Sequence, residues 1–483
     1  MKNDSQKTSV YNNPLLQRYA GKEISFVFSP DFKFSTWRKL WICLAQAEME
    51  LGLPITPGQI AEMQEHIHDI DYAKAAAFEA QTRHDVMAHI LAFGEICPQA
   101  KPIIHLGATS AFVGDNTDLI QLKEAGIILL RRLSTLISVL RDFALRYKDF
   151  ATLGFTHFQP AQLTTVGKRA CLWLLELSMD FNALDRFVGA LPLLGAKGTT
   201  GTQASFLSLF EGNADKVKKL DLMIAKKMGF ETVVPVSGQT YSRKIDAEAL
   251  SILSGMAQTL HKLANDIRLL QHLREIEEPF ETSQVGSSAM AYKRNPMRSE
   301  RMTSLARYIM SLSSSPAMTA AEQWFERTLD DSANKRLSIP EGYLAADACL
   351  ILAQNICDGL VVYPGVIERH VEEELPFMAT ENILMESVKK GGDRQLLHER
   401  IRAYSMDAQR GIKTEGKKND LLQRIEADSV FGLSHDDLVR IINPVDFIGL
   451  APRQVTEFMH STIDPLLKKS AHYGEIAHHE ITV

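Results

Sequence analysis

From Asp118 to Tyr147 the chain runs without a proline, and apolar residues recur at helical spacing: Leu119, Leu122, Leu129, Leu133, Leu136, Leu140 and Phe143. Such a run reads as one amphipathic helix. At 1.5 Å per residue it would be about 45 Å long. A stripe of that length has to be buried against other long helices. Segments 161–190, 247–277, 297–314 and 341–360 repeat the theme, and strand-like alternation is scarce. The expected fold is therefore all-α, built on a central long-helix bundle.

Smaller signals place the ends. Trp37, Leu40, Trp41 and Leu44 share one helix face, with Ser35 as the expected N-cap and Gly52 and Pro54 as stops. Thr56-Pro57-Gly58-Gln59 reads as a capping box with proline at the first helical position. Gly107 to Asn116 is small and polar, a junction before the long helix. Tyr363-Pro364-Gly365 breaks a hydrophobic helix. The expected division is a helical domain over 1–111, the bundle over 112–364 and a second helical domain over 365–483.

Composition excludes several classes. A net charge of −6 provides no global basic field for nucleic acid. No apolar run approaches the roughly 18 residues of a membrane span, and the first residues are too polar for a signal core. The five cysteines are scattered and lack paired spacing. That argues against a disulfide framework or a zinc site, and for a reducing, cytoplasmic setting.

The segment Gly286-Ser287-Ser288-Ala289-Met290-Ala291-Tyr292-Lys293-Arg294-Asn295-Pro296-Met297 fits no apolar period. It carries a hydroxyl pair, a cation and an amide between long helices, a set suited to an anionic substrate; an ordinary connecting loop is the plainer reading. His157, in Thr156-His157-Phe158-Gln159-Pro160-Ala161, is the best acid–base candidate, because an imidazole titrates at about pH 6.5. A histidine bonded to backbone would look the same.

Other blocks are less specific. His84 and His89 are five residues apart, about 140° around a helix, so they do not share a face as zinc ligands would. Arg83 and His84 could instead grip an anion, with Asp85 at the positive end of a helix. Thr109 and Ser110 offer hydroxyls near a helix start, a carboxylate seat; capping by Asn116 or Thr117 would explain the segment equally. Gly198-Thr199-Thr200-Gly201-Thr202-Gln203 lacks the lysine of a phosphate loop, and a connection packed near the site accounts for it as well. Arg301, Arg327 and Arg336 could hold phosphate through forked guanidiniums, or could be solvated charge.

Gly-Ser-x-x-Met-x-x-Lys-x-Asn over 286–295 resembles the signature of the fumarase/aspartase superfamily, lyases that release fumarate by β-elimination. Ala291 stands where proline is usual in that pattern. Thr156-His157-x-Gln159-Pro160-Ala161 and Ala108-Thr109-Ser110 resemble two further superfamily strips. Arg18-Tyr19, Arg83-His84-Asp85-Val86 and the run from Trp324 to Asn334 resemble the eukaryotic-type adenylosuccinate lyase branch. The likeness extends from about residue 14 to about 470. It implies a nucleotide substrate, no cofactor, no metal, and a homotetramer whose sites are each assembled from three subunits.

The resemblance also implies roles. His157 would be the general acid and Ser287 the base, with Ser288 an adjacent competitor. Lys293 and Asn295 would hold the succinyl carboxylates and stabilise the intermediate. Arg18, Tyr19, Arg301, Arg327, Ser332 and Arg336 would hold the nucleotide. Arg83, His84, Asp85, Thr109, Ser110 and Gln239 would complete the pocket. The rivals are another fumarate-releasing lyase of the argininosuccinate lyase kind, a non-catalytic structural descendant, and a nucleotide-binding scaffold without turnover.

Overall fold

The computed structural model describes residues 10–281, 290, 292–474 and 476. Its first helices are α1 (Pro30–Glu50), α2 (Pro57–Glu65), α3 (Tyr72–Thr82), α4 (Asp85–Ile96) and α5 (Ser110–Arg146). An antiparallel hairpin follows, β1 (Ala151–Thr156) and β2 (Gln159–Thr165). Then come α6 (Val166–Ala190), α7 (Lys244–His272), α8 (Met297–Leu312), α9 (Asp331–Asp358) and α10 (Pro364–Met378), with shorter helices between and after.

The long-helix bundle is present. The α5 helix has 37 residues, about 55 Å at the usual rise. Its leucines at 119, 129, 133, 136 and 140 are fully buried. It packs on α6 and α9, while α7 packs on α8 and α9. From Gly342 to Gln354 every residue of α9 is buried, so this helix is enclosed by the others. Gly126 allows the close crossing of α5 and α6: a Cβ there would lie 2.5 Å from a Val188 methyl. A separate apolar cluster around Ile383, Leu397, Leu421, Ile425 and Phe431 lies in the C-terminal part.

Four local expectations need correction. Ser29, not Ser35, caps α1: its hydroxyl accepts from the Phe32 amide at 3.2 Å, with Pro30 at the first helical position. Ser35 is buried inside the helix. The presumed junction through Asn116 is helical from Ser110 on, because Phe112 and Val113 are core residues. Asn116 caps nothing; its amide bonds Phe112 O at 2.7 Å and exchanges two bonds with Gly195. Segment 161–165 is the second strand of the hairpin, and helix begins only at Val166. The Thr56 capping box forms as expected.

Candidate functional site

A cavity of about 640 Å³ opens where the N-termini of α4, α5 and α9 converge. Eight of the sequence candidates line it: Arg83, His84, Asp85, Ser110, Gln239, Arg327, Ser332 and Arg336. Helix N-termini carry unpaired amides and partial positive charge, so three of them around one hollow favour an anion. Arg83 is left-handed (φ 55°) and ends α3. His84 caps α4, with Nδ1 accepting from the Met87 amide at 3.2 Å; a neutral ring then carries its proton on Nε2. His89 turns away and stacks on Phe34, ring centroids 3.8 Å apart. Burial holds His89 down at about 4. The two histidines therefore serve unrelated ends.

The floor of the cavity is charged, and sequence reading passed over it. Arg243 is fully buried. Its Nε donates to Asp331 Oδ2 at 2.5 Å, and Nη2 lies 3.0 Å from Asp115 Oδ2. Arg327 bonds the other Asp331 oxygen at 2.8 Å. Lys335 pairs with Asp118, and Tyr241 donates to Asp246 at 2.7 Å. Burial lifts Asp246 to about 6, against the pull of Arg243. Burial also opposes the charge on Lys335, but Asp118 and Asp115 outweigh it and hold that ammonium above the usual lysine value. Lys33 of α1 completes the wall. Each of these residues resembles solvated helix charge in sequence; only their distant partners reveal them.

His157 sits elsewhere, at the tip of the β1–β2 hairpin. Thr156 pairs with Gln159, so His157 and Phe158 form a two-residue turn, with φ 54° and 57°. Turns with both residues left-handed suit Asn-Gly, not a histidine and a phenylalanine. Strain of this kind collects at functional positions. The tip from Thr156 to Gln162 is exposed, and Phe158 with it. Within one chain His157 does not line the cavity.

A third group lies around α8. Arg18 is exposed on a short helical turn over Leu15–Tyr19, and the Arg301 guanidinium is 5.7 Å from the Tyr19 ring. Lys293 is exposed, with its amide on Met290 O at 3.0 Å; Asn295 is half-buried. Ser287, Ser288 and Ala291 lie outside the described residues. Buried Glu278 fixes the base of this segment. Its carboxylate accepts from the amides of Arg298 and Ser299 at 3.0 and 2.9 Å, and from the Ser299 hydroxyl at 2.8 Å. It thereby caps α8 from a distant stretch of chain. Gln271 links Glu278 N (3.3 Å) to Arg294 O (3.1 Å), and Arg298 reaches Glu281 at 2.5 Å.

Thr109 is the N-cap of α5, beside the cavity but not among its lining residues. The glycine-rich 198–203 stretch supports the cavity loop from behind: at Gly201 (φ 79°) a Cβ would come 1.8 Å from Ser237 O. Among the described residues no group of three or more His, Cys, Asp or Glu is placed to hold a metal ion. Among the described residues no helix is long and apolar enough to cross a membrane.

The chain matches the family described as "Lyase" over residues 31–311 and the "Adenylosuccinate lyase C-terminus" family over 376–458. It is 54% identical to the adenylosuccinate lyase of Saccharomyces cerevisiae, covering 96% of this chain and 97% of that one. Against the adenylosuccinate lyase of Schistosoma mansoni the identity is 49%, covering 95% and 96%. Among solved structures it is similar to 3-carboxy-cis,cis-muconate lactonizing enzyme from Pseudomonas putida, with TM-score 0.79 and 22% identity over 95% of this chain and 100% of that one. That last likeness is one of fold alone.

Proposed function

The chain belongs to the adenylosuccinate lyase family of the fumarase/aspartase superfamily, and from that premise we propose that it releases fumarate by β-elimination from two purine precursors. Adenylosuccinate would give AMP, and succinyl-aminoimidazole carboxamide ribotide would give the carboxamide ribotide. The observation that carries this reading is a cavity ringed by three helix N-termini and lined by Arg327, Ser332 and Arg336 together with Arg83, His84 and Gln239.

Elimination takes a proton from the carbon beside a carboxylate, breaks the carbon–nitrogen bond and returns a proton to the leaving nitrogen. His157 supplies that last proton. Ser287 removes the first. A free hydroxyl is a poor base, so its alkoxide needs a cation beside it, and Lys293 is the nearest in sequence. Lys293 and Asn295 hold the succinyl carboxylates and the negative charge that builds on them. Arg18, Tyr19, Arg301, Arg327, Ser332 and Arg336 bind the nucleotide, while Arg83, His84, Asp85, Thr109, Ser110 and Gln239 shape the pocket.

The candidates fall into three groups on one chain: the cavity, the hairpin tip, and the Arg18–Arg301–Lys293 group. That separation supports a site completed by other copies, in a homotetramer. An exposed apolar stripe on α6, Leu172, Leu175 and Met179, offers surface for such contacts. The division at 111/112 and 364/365 goes with this reading; Pro364 begins α10. The five cysteines are free thiols, which fits a cytoplasmic setting.

The test is direct. Purified protein mixed with adenylosuccinate should change the ultraviolet absorbance as AMP and fumarate form, and His157→Ala should abolish most of the rate. Absence of fumarate release by the native chain would overturn the reading.

A further inference from the structure

The cavity holds a cation that sequence reading did not single out. Lys33 lies in the first turns of α1 and lines the hollow beside Trp37. Its ammonium sits 5.0 Å from the Trp37 ring and 5.2 Å from that of Phe34. The other cavity cations differ in kind. Arg327 is paired with Asp331, Lys335 with Asp118, and Arg336 lies 3.8 Å from Asp85. Lys33 makes no ion pair with any described carboxylate; the charges that act on it most strongly are Arg336, Asp118 and Asp85. Burial, and then Arg336, push its ammonium below the usual lysine value.

A half-buried ammonium with aromatic faces beside it and no carboxylate within ion-pair reach is only partly compensated by the more distant Asp118 and Asp85. A dianion entering the hollow would supply the missing counter-charge. Arg336, the charged group that acts on it most strongly, shares α9 with Ser332, and the start of that helix faces the same space. Forked guanidiniums and a helix N-terminus are what a phosphate needs, and a lysine adds a compact point charge to them. We propose that Lys33 is a further phosphate-binding residue, contacting the nucleotide's phosphate alongside Arg327, Ser332 and Arg336. The inference rests on the nucleotide reading above and adds to it a contact from the N-terminal part of the chain.

Calorimetry on the purified native chain, Lys33→Met and Lys33→Arg tests this without requiring turnover. The probes are AMP, adenosine and fumarate. Lys33→Met should weaken AMP binding about tenfold or more, the value of a charge-assisted contact. It should leave adenosine and fumarate within about twofold, and Lys33→Arg should keep most of the AMP affinity. The thermal midpoint of Lys33→Met should not fall, since an uncompensated charge has been removed. Equal loss for AMP and adenosine, loss for fumarate alone, or no loss at all would each overturn the proposal. Native protein that binds AMP but cleaves no adenylosuccinate would strike the lyase reading and leave Lys33 standing.

Discussion

Arg243 and Asp331 are joined by a 2.5 Å ion pair in which neither side chain is more than 1% exposed. They are 88 residues apart, and the pair locks the start of α9 to the loop before α7 beneath the cavity. Arg243 also meets Asp115 of α5 at 3.0 Å. One guanidinium therefore holds three long helices in register around the site.

Removing it should be costly. Arg243→Met leaves Asp115 and Asp331 buried without their shared cation, a change worth about 3–5 kcal/mol. Denaturant unfolding should register that loss. Arg453, which pairs with Glu457 at 2.6 Å with both side chains exposed, is the control; Arg453→Ala should change little. If both variants unfold alike, the buried network does not organise the cavity.

Glu278 accepts three hydrogen bonds at the head of α8, and the stretch bearing Lys293 and Asn295 leads directly into that helix. Glu278→Ala orphans two amides and a hydroxyl in a buried place, costing about 1–3 kcal/mol for each group that finds no other partner. Turnover should fall further than stability explains, because the same cap sets where Lys293 and Asn295 stand. Native turnover in the folded variant, measured well below its unfolding temperature, would separate α8 from the chemistry.

Glu48 of α1 is fully buried, and neither of its carboxylate oxygens has a hydrogen-bond partner. Burial raises it from 4.5 to about 8. The folded chain thus keeps a proton that the unfolded chain releases. The stabilisation linked to that proton is complete below about pH 4.5 and is lost as pH climbs toward about 8. Glu48→Gln cannot titrate. The thermal midpoint of the native chain relative to this variant should therefore drop between pH 5 and pH 8. Parallel curves would mean that Glu48 is already ionised in the fold.

Sequence periodicity made the long helices legible because α5 and its neighbours bury one stripe over many turns. It failed where the governing partner was distant. The β1–β2 hairpin escaped because His157 and Phe158 take left-handed turn positions without the usual asparagine or glycine signal. Arg243, Asp115 and Lys335 escaped because a lone charge in a helical run looks solvated until its counter-ion is known. Residue chemistry offered Arg83, His84, Asp85, Ser110, Arg327 and Arg336 only as one of two readings, Gln239 and Ser332 emerged from family likeness alone, and the fold gathers all eight in one cavity. Nothing in their spacing would have done so, since they come from five separate stretches of chain.

The exposed hairpin leads to the last expectation. Its tip carries His157 away from the cavity of its own chain, while Ser287 belongs to the segment that joins β3 (Ile276–Glu277) to α8. If each site takes these two residues from different copies, a His157→Ala chain and a Ser287→Ala chain fail separately for different reasons. Unfolding the two together and refolding them would create mixed assemblies. Some of their sites would then receive an intact imidazole from one copy and an intact hydroxyl from another. Partial adenylosuccinate cleavage should return on mixing, and neither variant alone should recover under the same treatment. If the mixture stays as inactive as its components although it refolds and assembles, then both residues serve the same chain's site, and the hairpin must reach its own cavity by a route that the folded chain does not display.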